Sequence, residues 1–318
     1  MRVVILESLG ISPERLTELK APLEAQGVTF EEYTRTADAE TLKQEVAEAD
    51  ALILANMPLS GEVIRSAENL KFIDVAFTGV DHVDLEAAKE NGIAVSNASG
   101  YSNEAVAELT VGMALELARK MNNAELRCRA GKTKDGLPFS EIKGKTVGII
   151  GLGKIGSRSA ELFHAFGTEI LAYNRSIHED AADYVEQVSL WELLERSDYV
   201  LLHCPLTDQT RGLIGKAELE RMKPTAFLIN TARGPVVRTD DLVEALREEV
   251  IAGAALDVFD TEPPLDPEAP ILNVPNVFVT PHMAFATEES MELRAQIVFR
   301  SLKAWLDGGQ ENVVLPRA

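Results

Sequence analysis

The chain has 318 residues, 46% of them hydrophobic and 26% charged, with a formal net charge of −20. This is the composition of a globular protein long enough for two domains with separate cores, and no apolar run approaches the length of a membrane span. The acidic balance argues against nucleic acid or anionic membrane as partners, and two cysteines, Cys128 and Cys204, provide neither a disulfide framework nor a clustered metal motif.

The opening residues MRVVILES read as a first strand and not a signal peptide, so a cytoplasmic location is expected. From Arg2 to Ser96 short apolar runs alternate with helical periodicity. Val3–Leu6, Val28–Tyr33, Ala51–Leu54, Lys71–Val75 and Ile93–Val95 are the predicted strands. Ser12 caps, and Pro13 opens, a helix that Gly27 stops. Shorter helices are expected over Ala39–Ala47, Val63–Ala67 and Asp84–Lys89. The alternation predicts a parallel α/β layer. No glycine fingerprint follows its first strand, but a glycine turn, Thr78-Gly79-Val80-Asp81, follows the fourth. A long helix is expected over Ser102–Lys120, and Asn122–Lys143 reads as a polar excursion, either a linker or a subunit-contact arm.

The segment Lys145–Ser176 carries the strongest signal. An apolar run, Val147–Ile150, leads into Gly151, Gly153 and Gly156 at G-x-G-x-x-G spacing, then an amphipathic helix over Ile155–Phe166 closed by Gly167, then a second run, Ile170–Tyr173. In a dinucleotide site the first glycine permits the tight turn and the second lets backbone amides approach a pyrophosphate. The third allows close helix–strand packing. Strand, turn and helix in this order supply the context the fingerprint needs.

The α/β alternation continues. Ser189 opens a short helix in which Trp191 is expected to pack in the core. Strands follow at Tyr199–His203, Ala226–Asn230, Ile251–Leu256 and Val277–Thr280, with helices over Lys216–Met222 and Thr239–Glu249 between them. Thr287 caps a last helix reaching Leu306. This helix and the tail are expected to return to the first domain, giving residues 1–98 with 286–318 as one domain and 99–285 as the other.

Three stretches fall at predicted strand ends, where open α/β sheets bind ligands: Asn230–Gly234 (NTARG), Asp257–Pro263 (DVFDTEP) and Thr280–His282. They offer a guanidinium, carboxylates and an imidazole. Arginine can grip a carboxylate in bidentate fashion, and a carboxylate-supported histidine can supply or remove a proton, which together suit hydride transfer to a 2-oxo acid.

On these residues the chain resembles the D-isomer-specific 2-hydroxyacid dehydrogenase family over nearly its whole length. The matching motifs are GLGKIG, HCPLT, NTARG, ALDVFDTEPP and TPHMA, and YSNEAVAELTVG is similar to the family's inter-domain helix. The resemblance implies an α/β fold with a Rossmann-type doubly wound parallel sheet plus a second, smaller flavodoxin-like domain. It implies a catalytic set of Arg233, Glu262 and His282 converging on a cleft between hinged domains. The amides of Gly79 and Val80 are expected to hold the substrate carboxylate. Cofactor contacts are expected from Gly151, Gly153, Lys154, Ile155 and Gly156; from Asn174, Arg175 and Ser176; from His203, Cys204 and Pro205; and from Thr231 and Ala232, with Asp257 at the nicotinamide end. A homodimer built on the helices flanking the fingerprint, with the polar arm, is implied as well.

The activity expected is NAD(P)-dependent reduction of small 2-oxo acids to D-2-hydroxy acids, without a metal. A 3-phosphoglycerate dehydrogenase is the enzymatic alternative, and the absence of arginine from the ANMPLS loop disfavours such a phosphorylated substrate. A dinucleotide-sensing corepressor is the alternative of another class, weakened by the intact Arg/Glu/His set. The pocket wall is expected to include Asn56, Met57, Phe77, Tyr101 and Phe285. At the end of the second fingerprint strand, where an NAD site places an acidic residue for the ribose 2′-OH, stands Asn174, followed by Arg175 and Ser176. NADP is therefore placed ahead of NAD.

Overall fold

The computed structural model describes residues 1–261 and 264–317. The chain divides into two compact units, Met1–Ser102 with Ala286–Ala318, and Asn103–Phe285. In the first unit β1 (Arg2–Ile5), α1 (Pro13–Glu24), β2 (Thr29–Glu32), α2 (Ala39–Val46), β3 (Ala51–Leu54), α3 (Gly61–Ser66), β4 (Phe72–Val75), α4 (Leu85–Glu90) and β5 (Ala94–Asn97) alternate strictly. The helix starts are chemical: the side chains of Ser12, Asp38, Ser60 and Asp84 each accept a backbone N–H from the first turn they cap.

The second unit opens with α5 (Asn103–Arg119) and α6 (Met121–Arg129). It continues through β6 (Thr146–Ile150), α7 (Lys154–Ala165), β7 (Glu169–Tyr173), β8 (Val185–Gln187), α8 (Leu190–Arg196) and β9 (Tyr199–Leu202). Then come α9 (Lys216–Arg221), β10 (Phe227–Asn230), α10 (Thr239–Arg247), β11 (Gly253–Leu256) and β12 (Val277–Val279). The chain re-enters the first unit with α11 (Glu288–Leu306) and β13 (Val313–Leu315).

The first unit's sheet runs β13-β5-β4-β3-β1-β2. Its five parallel strands have the flavodoxin-like order 2-1-3-4-5, extended by β13 lying antiparallel to β5. The tail is stitched on by Gln310, whose Nε2 donates to the carbonyls of Val95 (3.1 Å) and Leu315 (2.8 Å). The second sheet runs β12-β11-β10-β9-β6-β7-β8, all parallel, which is the Rossmann order extended by one strand. Both of its faces are covered. Met113 and Leu117 of α5 and Phe163 of α7 pack over Val147, Ile149 and Leu201 on one side. Leu193, Leu219, Leu242 and Leu246 pack over Ile150, Val200 and Leu228 on the other.

Three details depart from the sequence reading. The expected polar excursion begins with a helix, α6, none of whose residues is buried, so no apolar stripe announces it. The short strand β8 was not expected either, since its three residues bury little. Trp191 is not a core residue: it is 47% exposed, with the Arg221 guanidinium 5.9 Å from its ring centroid.

Candidate dinucleotide and catalytic site

The strand order brings the motif-bearing loops to one edge of the second sheet. Reading across from β7 through β6, β9, β10 and β11 to β12, the C-terminal ends are followed by Asn174, Gly151, His203, Thr231, Asp257 and Thr280 in turn. The order reverses at β6, between β7 and β9, and this switch point is where doubly wound sheets open a crevice for ligands.

The glycines divide the work there. Gly151 has φ +102°, and a Cβ on it would stand 2.6 Å from the Cys204 amide nitrogen, so the fingerprint turn lies directly on the backbone of the His203-Cys204 loop. A Cβ on Gly156 would stand 2.1 Å from the Gly151 carbonyl oxygen, which closes α7 onto β6. Gly153 faces open space and is the N-cap of α7 with no side-chain cap, leaving the first amides of a twelve-residue helix directed outward. Such an uncapped N-terminus suits a pyrophosphate. Lys154, first in the helix, lines a shallow cavity of about 410 Å³ with Leu152, Ser157, Arg158 and Tyr184. Ile155 is half-buried beside it.

At the end of β7, Asn174 Oδ1 accepts the Leu152 N–H at 2.7 Å. The amide nitrogen is thereby the end of Asn174 left to meet a ligand. Arg175 Nη1 donates to Gln209 Oε1 at 3.0 Å, which ties it to the loop after β9, and Ser176 is exposed. His203 contacts Ser159 Oγ on α7 through Nε2 at 2.9 Å, and burial lowers its pKa to about 4, so the ring is neutral and acts as a strut between loop and helix. Burial pushes the Cys204 thiol up to about 11, far from a reactive thiolate. The Pro205 carbonyl accepts from Thr210 Oγ1.

The NTARG loop is held by Asn230, which is 1% exposed. Its Oδ1 accepts the Ala232 N–H at 3.0 Å and its Nδ2 donates to the Arg233 carbonyl at 2.9 Å. Thr231 Oγ1 lies 3.1 Å from Thr110 Oγ1 on α5. The Arg233 guanidinium donates from Nη1 to the Ala232 carbonyl at 2.8 Å, curling the side chain over its own loop. Next to it, a Cβ on Gly234 would stand 1.9 Å from the Phe259 carbonyl carbon, so the loops after β10 and β11 touch backbone to backbone.

Asp257 is fully buried at the end of β11. Its Oδ1 accepts from Thr280 Oγ1 and from the Met283 N–H (2.9 Å), and its Oδ2 accepts the Ala284 N–H (2.9 Å). The carboxylate is thus wrapped by the segment that carries His282. Burial raises its pKa, while these hydrogen bonds and the charge of His282 oppose the rise. His282 itself has φ +54°, a left-handed conformation costly for a residue with a side chain, and its ring meets Phe285 edge-on at 5.3 Å. Glu262 lies outside the described residues. Gly79 and Val80 follow β4 in the first unit, where Asn97 Nδ2 donates to the neighbouring Thr78 carbonyl at 2.7 Å.

Ser159 and Gln209 were not singled out in the sequence, whereas Asn230 opens the NTARG motif and Thr280 the TPHMA motif. Ser159 and Gln209 come from elements distant in the chain and carry no local signal. Among the described residues no group of three His, Cys, Asp or Glu could hold a metal, and no helix is long and apolar enough to cross a membrane.

Comparison with known proteins agrees with this geometry. Residues 111–284 match the model of the "D-isomer specific 2-hydroxyacid dehydrogenase, NAD binding domain". The chain is 42% identical to a glyoxylate reductase of Thermofilum pendens over 85% of this chain and 82% of that one. It is 33% identical to a hydroxypyruvate reductase of Blautia hydrogenotrophica over 99% of both. Among solved structures, the acyclic imino acid reductase Bsp5, in complex with NADPH and D-Arg, superposes with a TM-score of 0.91 at 29% identity, covering 99% of this chain and 100% of that one. With the fingerprint at the switch point and the arginine and histidine loops on one edge of the same sheet, the chain belongs to the D-isomer-specific 2-hydroxyacid dehydrogenase family.

Proposed function

We propose that this protein is an NAD(P)-dependent oxidoreductase that reduces small 2-oxo acids to D-2-hydroxy acids. The observation that carries the reading is the placement of Arg233 and His282 after β10 and β12, on the sheet edge that also bears the glycine fingerprint. The relatives named for glyoxylate and hydroxypyruvate support short substrates.

The fingerprint amides and the α7 N-terminus would hold the pyrophosphate of a dinucleotide, which when bound would supply the hydride. Arg233 pairs with the substrate carboxylate and draws electron density from the adjacent carbonyl. The amides of Gly79 and Val80 share that carboxylate. His282 donates a proton to the carbonyl oxygen as it becomes an alkoxide, and Glu262 favours the protonated ring. Asp257 acts one step back by setting the backbone from which His282 projects. Absorbance at the nicotinamide band with glyoxylate, pyruvate and hydroxypyruvate tests the reading; no oxidation of reduced dinucleotide with any of them would overturn it.

NADP is the dinucleotide we favour. No carboxylate stands at position 174 to repel a 2′-phosphate, and Asn174 turns its amide nitrogen, a donor, outward. Gln209 steadies Arg175 beside it. A kcat/KM ratio favouring NADPH over NADH, reduced by Arg175→Ala, is expected. A wild-type preference for NADH would reverse the assignment. We also infer a cytoplasmic homodimer using α6, which exposes Met121 (47%) and Leu126 (56%); light scattering at the monomer mass would exclude the dimer.

A further inference from the structure

The smaller unit contains a buried cation whose Nε its own fold leaves without an acceptor. Arg294 on α11 is 4% exposed. Its Nε has no hydrogen-bond partner, the guanidinium makes no ion pair within 4 Å among the described residues, and Tyr101 hydrogen-bonds to it. The Tyr101 ring also lies 5.8 Å from Cζ, and the backbone of Gly10 runs alongside. A Cβ on Gly10 would stand 3.3 Å from Arg294 Nη2 and 3.0 Å from Met291 Sδ, so any side chain there would close the space beside the guanidinium.

Glu7, the carboxylate that bears on Arg294, is engaged elsewhere. Glu7, itself 6% exposed, accepts the Ala55 and Met57 N–H groups on Oε1 at 2.7 and 2.9 Å, and Arg35 Nη1 reaches its Oε2 at 3.3 Å. The same Arg35 nitrogen donates to Asn56 Oδ1 at 2.6 Å. Glu7 is thus committed to two backbone amides and to Arg35, and it makes no ion pair with Arg294 within 4 Å. Burial lowers the pKa of Arg294, with Tyr101 and Glu7 opposing. A guanidinium offers five donors in a planar fork, and burying it without acceptors is costly. A carboxylate accepting two of those donors side by side relieves the cost.

Position narrows the ligand. Glu7 and Gly10 follow β1, Asn56 follows β3 and Tyr101 follows β5, so the cluster lies at the C-terminal edge of the parallel strands, as does the Gly79–Val80 loop after β4. We propose that Arg294 is a specificity-determining residue that takes a second carboxylate, carried at the far end of a short 2-oxo acid. The inference rests on the activity proposed above and narrows its substrate class to dicarboxylic 2-oxo acids.

The test pairs two four-carbon substrates that differ at the far end, oxaloacetate and 2-oxobutyrate. The wild-type enzyme should favour oxaloacetate in kcat/KM by about tenfold or more, as expected when a buried polar group loses its partner in the poorer substrate. Arg294→Met, apolar and of similar length, should collapse that ratio towards one, chiefly through KM for oxaloacetate, with Arg294→Lys in between. Calorimetric titration of D-malate into enzyme saturated with NADPH or NADH reads the same subsite without turnover, and binding should be lost in Arg294→Met. An equal wild-type preference overturns the proposal, as does a ratio untouched by either variant. So does a parallel fall for both substrates together with a lowered Tm, the mark of a purely structural cation. If Arg294→Met does not fold, an unchanged ratio in Arg294→Lys overturns it. If no 2-oxo acid is reduced, the activity reading fails, and D-malate binding that depends on Arg294 still upholds the subsite while its absence overturns it.

Discussion

His282 occupies a left-handed backbone conformation that only the surrounding structure can impose, and Asp257 is the group that imposes it. Three donors from the Thr280–Ala284 segment converge on one buried carboxylate, so the imidazole is positioned from beneath its own backbone. Two outcomes follow at this scale. His282→Ala should lower kcat by about 10²–10⁴-fold, the range for losing a general acid–base group, and an unchanged kcat would remove His282 from the mechanism. Asp257→Asn replaces an acceptor with an amide that must turn its NH2 towards a backbone N–H. The resulting shift of the loop should cost kcat about 100-fold, the effect of an ångström's misplacement. Because Asp257 acts through His282, adding Asp257→Asn to His282→Ala should cost far less than it does in the wild type; full additivity in that double mutant would separate the two residues.

Contacts between elements decide two further properties. The loops after β10 and β11 are pressed together at Gly234, where even a methyl group would enter the Phe259 carbonyl. Gly234→Ala should destabilise by about 3 kcal/mol through overpacking, measurable by urea unfolding, and a change below about 0.5 kcal/mol would mean the loops are free to part. In the other unit, Asp74 on β4 is completely buried and neither of its oxygens reaches a hydrogen-bond partner at good geometry. Burial pushes its carboxyl up to about 8, with Ser301 on α11 opposing and Glu311 adding to the rise. An unfolded aspartate has a pKa of about 3.9, so the folded state holds this proton more tightly. The stabilisation is complete below about pH 4 and is lost progressively as the pH rises to about 8, several kcal/mol in order of magnitude. Asp74→Asn does not titrate. Relative to wild type it should gain stability steadily between pH 5 and 8 and no further above, and a pH-independent difference would show that Asp74 ionises normally.

For the whole molecule the dominant feature is its charge of −20. Self-repulsion at that charge opposes the compact state, while surface ion pairs such as Arg196 with Glu186 and Glu192 are worth little individually. Raising ionic strength from about 0.01 to 0.5 M shortens the screening length several-fold and should favour folding by about 1 kcal/mol, or about 2–4 °C in Tm for a domain of this size. A Tm that falls with salt would mean that attractive pairs outweigh the net repulsion.

How much of this could be read from the chain depended on the range of the interactions involved. Strand and helix positions, the caps at Ser12 and Thr287 and the fingerprint at Gly151–Gly156 were legible because they rest on side-chain period and turn chemistry within a few residues. Arg233 and His282 were legible because their motifs end predicted strands. The exposed helix α6 was not, since a helix with no apolar face has no period to detect. Nor was the arginine at the ANMPLS loop: that loop contains none, yet Arg35 reaches Asn56 from the end of β2, an element 21 residues earlier. The clasp of Asp257 on the histidine segment and the buried guanidinium of Arg294 belong to the same class. Each depends on which strands lie side by side and on what the resulting burial leaves unpaired, and only the tertiary structure decides that.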